Sequence, residues 1–313
     1  MKKVGLWFYR NDGGAVTEKI LAEKLRKKGY EVIDDFDMRK CYILDGNVYT
    51  ETGYNLSQLD VFYHMNADEQ TEYQRDVLKV LSMSDVKVFN DYNSFNNAQD
   101  KMVANYLLRK AGLRVAPSLF MSANFNMDVM KKLFEEWGTI LIKPRKGHGG
   151  KGILKFNNFE SFYDFNLATK DFYKSYYIEK MIPFDTHDYR VEIFDGEVIG
   201  GYSREKVHSF KSNISSGGIM LDVPVENEQV QIALKAAKAL NITTTIIDMV
   251  RSTEDGEIYI IEINPMMGIF LESAMRSGEK IPVQEQLPEQ FCYDYKKVDA
   301  IIKHIDKLCN QSN

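Results

Sequence analysis

Residues 244–268 read TTIIDMVRSTEDGEIYIIEINPMMG, and the folding of this stretch decides the rest of the chain. Two runs rich in isoleucine and valine flank residues 252–257, which carry an Asp-Gly step, so the pattern predicts a β-hairpin. Its chemistry lies in Asp248, Glu262 and Asn264. Alternation along a strand puts Glu262 and Asn264 on one face with Ile260. A loop centred on Asp255, of odd length with a glycine bulge, sets Asp248 directly opposite Glu262. A two-residue turn at Asp255-Gly256 sets it opposite Ile263 instead. In the first register two carboxylates and a carboxamide converge among apolar neighbours. Facing carboxylates repel, and desolvating them is costly unless a cation lies between. Their oxygens are the hard ligands Mg²⁺ prefers, alongside water and nucleotide phosphates. Taken alone, the stretch fits a solvated acidic face equally well.

The 313 residues are enough for two domains or one divided into lobes. With 44% hydrophobic and 27% charged residues, the composition is that of an ordinary soluble globular protein. A net charge of −5 gives no electrostatic case for nucleic acid as a partner. No run approaches the ~20 apolar residues of a membrane span. Cys41, Cys292 and Cys309 are scattered, as are the five histidines, so the expectation is reduced thiols, a cytoplasmic location and no zinc site.

Before the hairpin, strands are predicted at 4–9, 31–34, 61–64 and 86–90, with helices at 15–28 and 69–81 between them. Residues 1–93 are thus expected to form a small α/β layer with a parallel sheet. Gly13-Gly14 lacks the GxGxxG pattern and reads as a tight turn. A helix at 96–111 carries Lys101, and another follows at 127–137. A strand at 139–144 runs into RKGHGGKG and out into a second strand at 153–156. Glycines at 147, 149, 150 and 152 let backbone approach a ligand and aim N–H groups at it. Lys143, just before them among isoleucine and leucine, needs an anion, which phosphate would supply with Lys146 and Lys151 close by. Strands follow at 176–181, 187–194 and 197–202, then a polar loop at 209–218, a helix at 230–240, the hairpin and a last helix at 295–308.

A helix with a lysine, a strand lysine before a glycine-rich loop, a strand with Glu-Lys and a hairpin bearing Asp, Glu and Asn occur in that order. The order resembles the ATP-grasp superfamily. DKMVANYLLRKAGLRVAP, ILIKPRKGHGGKGI, HDYRVEIFDGEVIGGYSRE, FKSNISSGG and IDMV…IEINPMMGI resemble successive blocks of its branch of ribosomal-protein glutamate ligases and related carboxylate–amine ligases. The resemblance implies an ATP-grasp fold, α/β in a pre-grasp domain at 1–93 and α+β in a small lobe at 94–182 and a large lobe at 183–313.

It also implies the site. Lys101 and Lys143 would hold nucleotide phosphates under a loop with Gly147, Gly149, Gly150 and Gly152. Glu179, Lys180 and Met181 would line the adenine pocket, with Asp185 or Asp188 near the ribose. Asp248, Glu262 and Asn264 would carry two Mg²⁺, with Mn²⁺ as a substitute. Arg190, Arg204, Lys211 and Asn213 would face the transferring phosphate and the acceptor carboxylate. The implied reaction joins an amine to an ATP-activated carboxylate on an amino acid or peptide, through an acyl phosphate. The family also suggests a homo-oligomer. A non-catalytic ATP-binding module and a kinase are the alternatives on the same fold. Two departures bear on the substrate. Lys211 replaces a family arginine, exchanging a two-pronged grip for a point contact, and Met266-Met267 replace small polar residues, which would line a different acceptor pocket.

Overall fold

The computed structural model describes residues 1–8, 14–65, 72–147, 150–206, 219–221, 224–268 and 294–311. The first layer contains β1 (Lys3–Trp7), α1 (Gly14–Lys27), β2 (Glu31–Ile33), the small hairpin β3 (Tyr42–Leu44) and β4 (Asn47–Tyr49), β5 (Val61–His64), α2 (Glu72–Met83) and β6 (Lys87–Phe89). Its sheet has the order β2-β1-β5-β6, parallel throughout, as the alternation of apolar strands and helices predicts. One face packs on α2 through Trp7, Phe62, Val77, Leu78 and Leu81.

The other face is closed from the far end of the chain. The last helix, α8 (Asp294–Asn310; Val298, Ile301, Ile305), packs with α1 against Val4, Leu6 and Tyr63. Asp306 accepts hydrogen bonds from Lys28 Nζ and Tyr30 Oη, both at 2.5 Å. The helix also contacts the large lobe, where Lys297 pairs with Glu192 and Lys307 with Asp195, so it bridges the first sheet and the lobe to which sequence order assigns it. Gly14 opens α1, while Gly13, Tyr9 and the start of the helix expected at 69–81 lie outside the described residues.

The single helix expected at 96–111 is two, α3 (Tyr92–Gln99) and α4 (Lys101–Lys110). Asp100 breaks it. Its backbone is extended, its carboxylate accepts from Val103 N at 3.3 Å as an N-cap, and Arg145 holds the same carboxylate at 2.7 Å. The break places Lys101 at the first position of α4, with its N–H donating to Arg145 O at 2.9 Å.

The small lobe is β7 (Ser118–Ser122), α5 (Met127–Trp137), β8 (Ile140–Lys143), β9 (Leu154–Phe156), α6 (Phe159–Thr169) and β10 (Ser175–Lys180), with sheet order β7-β10-β8-β9. Its core joins Met130, Phe134 and Phe162 to Ile140, Ile142 and Ile178. The large lobe is β11 (His187–Phe194), β12 (Glu197–Glu205), β13 (Ile219–Leu221), α7 (Asn227–Leu240), β14 (Thr244–Arg251) and β15 (Ile258–Asn264). These strands form one sheet, β13-β12-β11-β14-β15. Helices α4 and α7 cover one face, packing on Val191, Ile193, Ile247, Met249 and Ile263. Alternation then sends Asp188, Arg190, Glu192 and Asp248 to the opposite face.

Cys41 and Cys309 are free buried thiols. Burial, together with Asp37 and Glu51, pushes Cys41 up to about 12. Among the described residues no helix is long and apolar enough to cross a membrane.

Candidate active site

Asp248 does lie opposite Glu262, but through a device the hairpin pattern did not foretell. At the turn the register is Arg251 against Ile258, closed by Ser252 N donating to Glu257 O at 2.8 Å. Continued regularly, that register would bring Asp248 opposite Ile261. A bulge shifts it by one residue, so Asp248 meets Glu262 and Ile246 meets Asn264. The bulge also overturns the expected shared face of Ile260, Glu262 and Asn264. Ile260 packs with Ile258 and Ile263 under α4 and α7, while Ile261 and Glu262 both line the cavity on the other side.

The carboxylates already have cations. Arg190 grips Asp248 with two prongs, Nε to Oδ1 and Nη2 to Oδ2, both 2.9 Å. Arg204 Nη2 reaches Asp248 Oδ2 at 3.1 Å and Asp188 Oδ2 at 2.5 Å, with Nε on Asp188 Oδ1 at 3.1 Å. Cross-strand neighbours on β11, β12 and β14 therefore form a ladder, Asp188–Arg204–Asp248–Arg190. Burial pushes the Asp248 carboxyl up, but Arg190 and then Arg204 outweigh it and hold it below the usual carboxylate value. Burial pulls both arginines down, and Asp248 more than reverses this, leaving both raised. Asn264 Nδ2 donates to Asp248 Oδ2 at 3.4 Å, and Lys101 Nζ stands 3.4 Å from Glu262 Oε1. Arginine and lysine thus neutralise these acids, so their charge alone does not demand a metal between them.

Lys143 is not alone in its strand either. It is ion-paired with Glu179 on neighbouring β10, both side chains 8% exposed, and Tyr177 Oη donates to Glu179 Oε1 at 2.7 Å. Burial first, and Glu179 second, raise the Tyr177 hydroxyl. Tyr177 escaped the sequence reading, although its place two residues before Glu179 in YYIEK puts both on one strand face.

Lys101 Nζ donates to Gly147 O at 2.7 Å and so tethers the glycine-rich loop. Gly152 has φ +74°, and a Cβ there would come 2.8 Å from Pro144 Cγ, so the loop closes on its own base only with glycine. Lys146 turns away, donating to Asn96 Oδ1 at 3.2 Å. Gly149, Lys211 and Asn213, with the loop at 209–218, lie outside the described residues.

Between the lobes lies a cavity whose charged wall is Lys101, Lys143, Glu179, Asp188, Arg204, Asp248 and Glu262. Its apolar wall is Ala116, Leu141, Ile153, Met181, Ile182, Phe184 and Ile261. Lys180 and Met181 also line it, but their N–H groups donate to Pro117 O at 2.9 Å and Thr139 O at 3.0 Å. Asp185 does not line it, whereas Asp188 does. Met267 is fully buried between the first sheet and the hairpin, which corrects the acceptor-pocket expectation for that residue, and half-buried Met266 packs on the same cluster.

The oxygen set of Asp248, Glu262 and Asn264 is of the kind that suits magnesium, with Asp248 and Glu262 opening on the cavity. Among the described residues no three His, Cys, Asp or Glu side chains cluster as a metal group, so nucleotide oxygens would have to complete the shell.

The comparisons with known proteins bear on this arrangement. Residues 98–287 match the RimK-like ATP-grasp domain. The chain is 26% identical over 245 residues to a coenzyme gamma-F420-2:alpha-L-glutamate ligase of Methanococcus maripaludis, covering 73% of this chain and 82% of that protein. It is 25% identical over 275 residues to a probable alpha-L-glutamate ligase of Shewanella halifaxensis, covering 85% of this chain and 58% of that protein. Among solved structures it shares the fold of a Chryseobacterium gregarium RiPP-associated ATP-grasp ligase in complex with ADP and a leader and core peptide. The TM-score is 0.64 at 16% identity, covering 100% of this chain and 98% of that one. It also shares the fold of the ATP-grasp ligase PsnB complexed with minimal precursor, Mg and ADP, with a TM-score of 0.61 at 18% identity over 87% and 91% of the two chains. Lysines and acids facing each other across a two-lobed cavity therefore have a family, and this chain belongs to the RimK-like ATP-grasp domain family.

Proposed function

We propose that this ATP-grasp ligase activates a carboxylate on an amino acid or peptide as an acyl phosphate and joins it to an amine. The supporting observation is the cavity in which Lys101 and Lys143 face Asp248 and Glu262, with an apolar wall beside them. Lys143 and Lys101 would hold the ATP phosphates beneath the loop of Gly147, Gly149, Gly150 and Gly152. Leu141, Ile153, Ile182 and Phe184 would cover the adenine, with Glu179 and the carbonyl side of Lys180 and Met181 at its edge.

Asp248, Glu262 and Asn264 would hold magnesium, two ions in the full reading, with manganese able to substitute. Bound metal supplies charge neutralisation for the transferring phosphoryl group. The substrate carboxylate oxygen attacks the γ-phosphorus and ADP leaves. The amine nitrogen then attacks the acyl carbon, inorganic phosphate leaves, and the amine gives up a proton to solvent. Arg190 and Arg204, pre-oriented by Asp248 and Asp188, would present fixed positive charge where the phosphoryl charge develops. Lys211 and Asn213 would contact the acceptor.

Relatives named for glutamate make L-glutamate the first amine to screen. ADP release should require both a carboxylate and an amine, and hydroxylamine should divert the product to a hydroxamate. ATP binding without ADP across a broad acceptor screen would select a binding module, and a phosphorylated product stable to hydroxylamine a kinase.

A further inference from the structure

Asn90, at the end of β6 in the first layer, touches neither the cavity nor its lining, yet it is 1% exposed and its side chain is fully engaged. Its Nδ2 donates to Thr244 O at 2.8 Å and to Pro265 O at 2.7 Å. Its Oδ1 accepts from Thr243 N at 3.0 Å and Thr244 N at 2.9 Å. Its own carbonyl accepts from His64 Nε2 at 2.7 Å. Thr244 begins β14, and Pro265 follows Asn264, the last residue of β15. Pro265 brings no N–H to the pairing of these strands. The Asn90 carboxamide therefore works as a borrowed peptide group, bonded to both strand ends where the proline leaves the ladder short. Thr245 Oγ1 adds one bond across the same end, to Asn264 O at 2.8 Å.

We propose that Asn90 is a positioning residue for the hairpin, fixing the spacing of β14 and β15 and with it the placement of Asp248 against Asn264. This rests on the reading of the hairpin as the metal-holding element. The first layer thereby sets the geometry of a site to which it contributes no lining residue. A role in fold stability alone would lower the melting temperature and leave the response to metal untouched.

The test is calorimetric titration of ADP into the full chain, once in EDTA and once in excess Mg²⁺, the readout being the ratio of the two affinities. Asn90→Asp and Asn90→Ala should each lose about 10-fold of the tightening that metal brings, the range seen when partners of metal ligands are removed, with ADP affinity in EDTA unchanged. Leu25→Ala, a core truncation in the same layer, should lose stability and keep the ratio. An unchanged ratio in both Asn90 variants overturns the proposal. If neither folds, Thr245→Val reads the same strut, with a loss of roughly threefold expected and no loss overturning it. A parent chain in which metal leaves ADP affinity unchanged overturns the metal reading and this proposal together. A chain that forms no amide but keeps its metal ratio contradicts only the proposed reaction.

Discussion

The two walls of the cavity carry their buried charge differently. Among the described residues, the small-lobe sheet lines the cavity with one buried pair, Lys143 with Glu179, steadied by a neutral hydroxyl from Tyr177. On the large lobe a ladder of four charges spans three strands, and Asp248 is shared by two guanidinium groups. A lone pair gives up its partner when a competing anion arrives, so in the proposed reaction Lys143 would pass from Glu179 to a phosphate. A shared ladder holds each member by more than one bond, so its charges stay fixed while a ligand changes. One wall is built to exchange and the other to stay rigid.

The sharpest way to break this contrast is Asp248→Asn. It leaves buried Arg190 without its carboxylate and Arg204 with Asp188 alone, and should lower stability by about 3–5 kcal/mol in denaturant titrations, with ADP release falling at least ~100-fold. A loss no larger than that of a single surface pair would dissolve the distinction. Lys143→Met tests the other wall. Glu179 then loses its cation but keeps the Tyr177 bond. The main effect should be on ATP, with affinity weaker by about 10- to 100-fold. Adding Glu179→Gln should return part of the lost stability, as a double-mutant cycle would show.

The hairpin and sequence patterns made much of this legible. Alternation and the Asp-Gly step predicted two paired strands and left Asp248 facing either Glu262 or Ile263, and the parallel first sheet followed from its apolar runs. What escaped was decided by partners distant in sequence. Nothing in residues 139–144 announces that Glu179 on β10 neutralises Lys143. Nothing in residues 187–205 shows that Asp248, on β14, occupies Arg190 and shares Arg204 before any phosphate arrives. The Ile261 bulge has no local signature, because it reconciles a turn register with a core register. Asp100 was legible in principle, as a capping residue ahead of Lys-Met-Val, but an unbroken helical pattern hid it.

Acid offers a gentler probe. His64 is buried, and burial holds it down to about 4, against 6.5 in the unfolded chain, with the Asn90 carbonyl only partly opposing. Between those values the unfolded chain binds the extra proton, so stability is full above pH 6.5 and falls as pH drops towards 4. The loss should be about 2 kcal/mol between pH 7 and pH 5. The Asp248 carboxyl, held below its usual value, keeps its contribution until pH falls below that of an ordinary aspartate. His64→Gln should flatten the slope in the upper window alone, measured as denaturant stability against pH.

The smallest effect should come from Lys180→Ala. This removes the 2.6 Å bond to Glu254, which joins β10 to the hairpin turn and whose acid is 52% exposed. A change within about 0.5 kcal/mol is expected, with ADP release within twofold of the parent. A larger effect would mean that the lobes are coupled at the turn as firmly as at the ladder.

Helix α8 has a consequence for how the protein is made. The ribosome completes the first sheet at Phe89, about two hundred residues before Asp294 opens the helix that covers one of its faces. During that interval Val4, Leu6 and Tyr63 stay short of the apolar partners Val298, Ile301 and Ile305. A nascent chain halted after the large lobe should therefore bind a hydrophobic dye or chaperone through its earliest residues, and release it when a synthetic peptide of residues 294–311 is supplied.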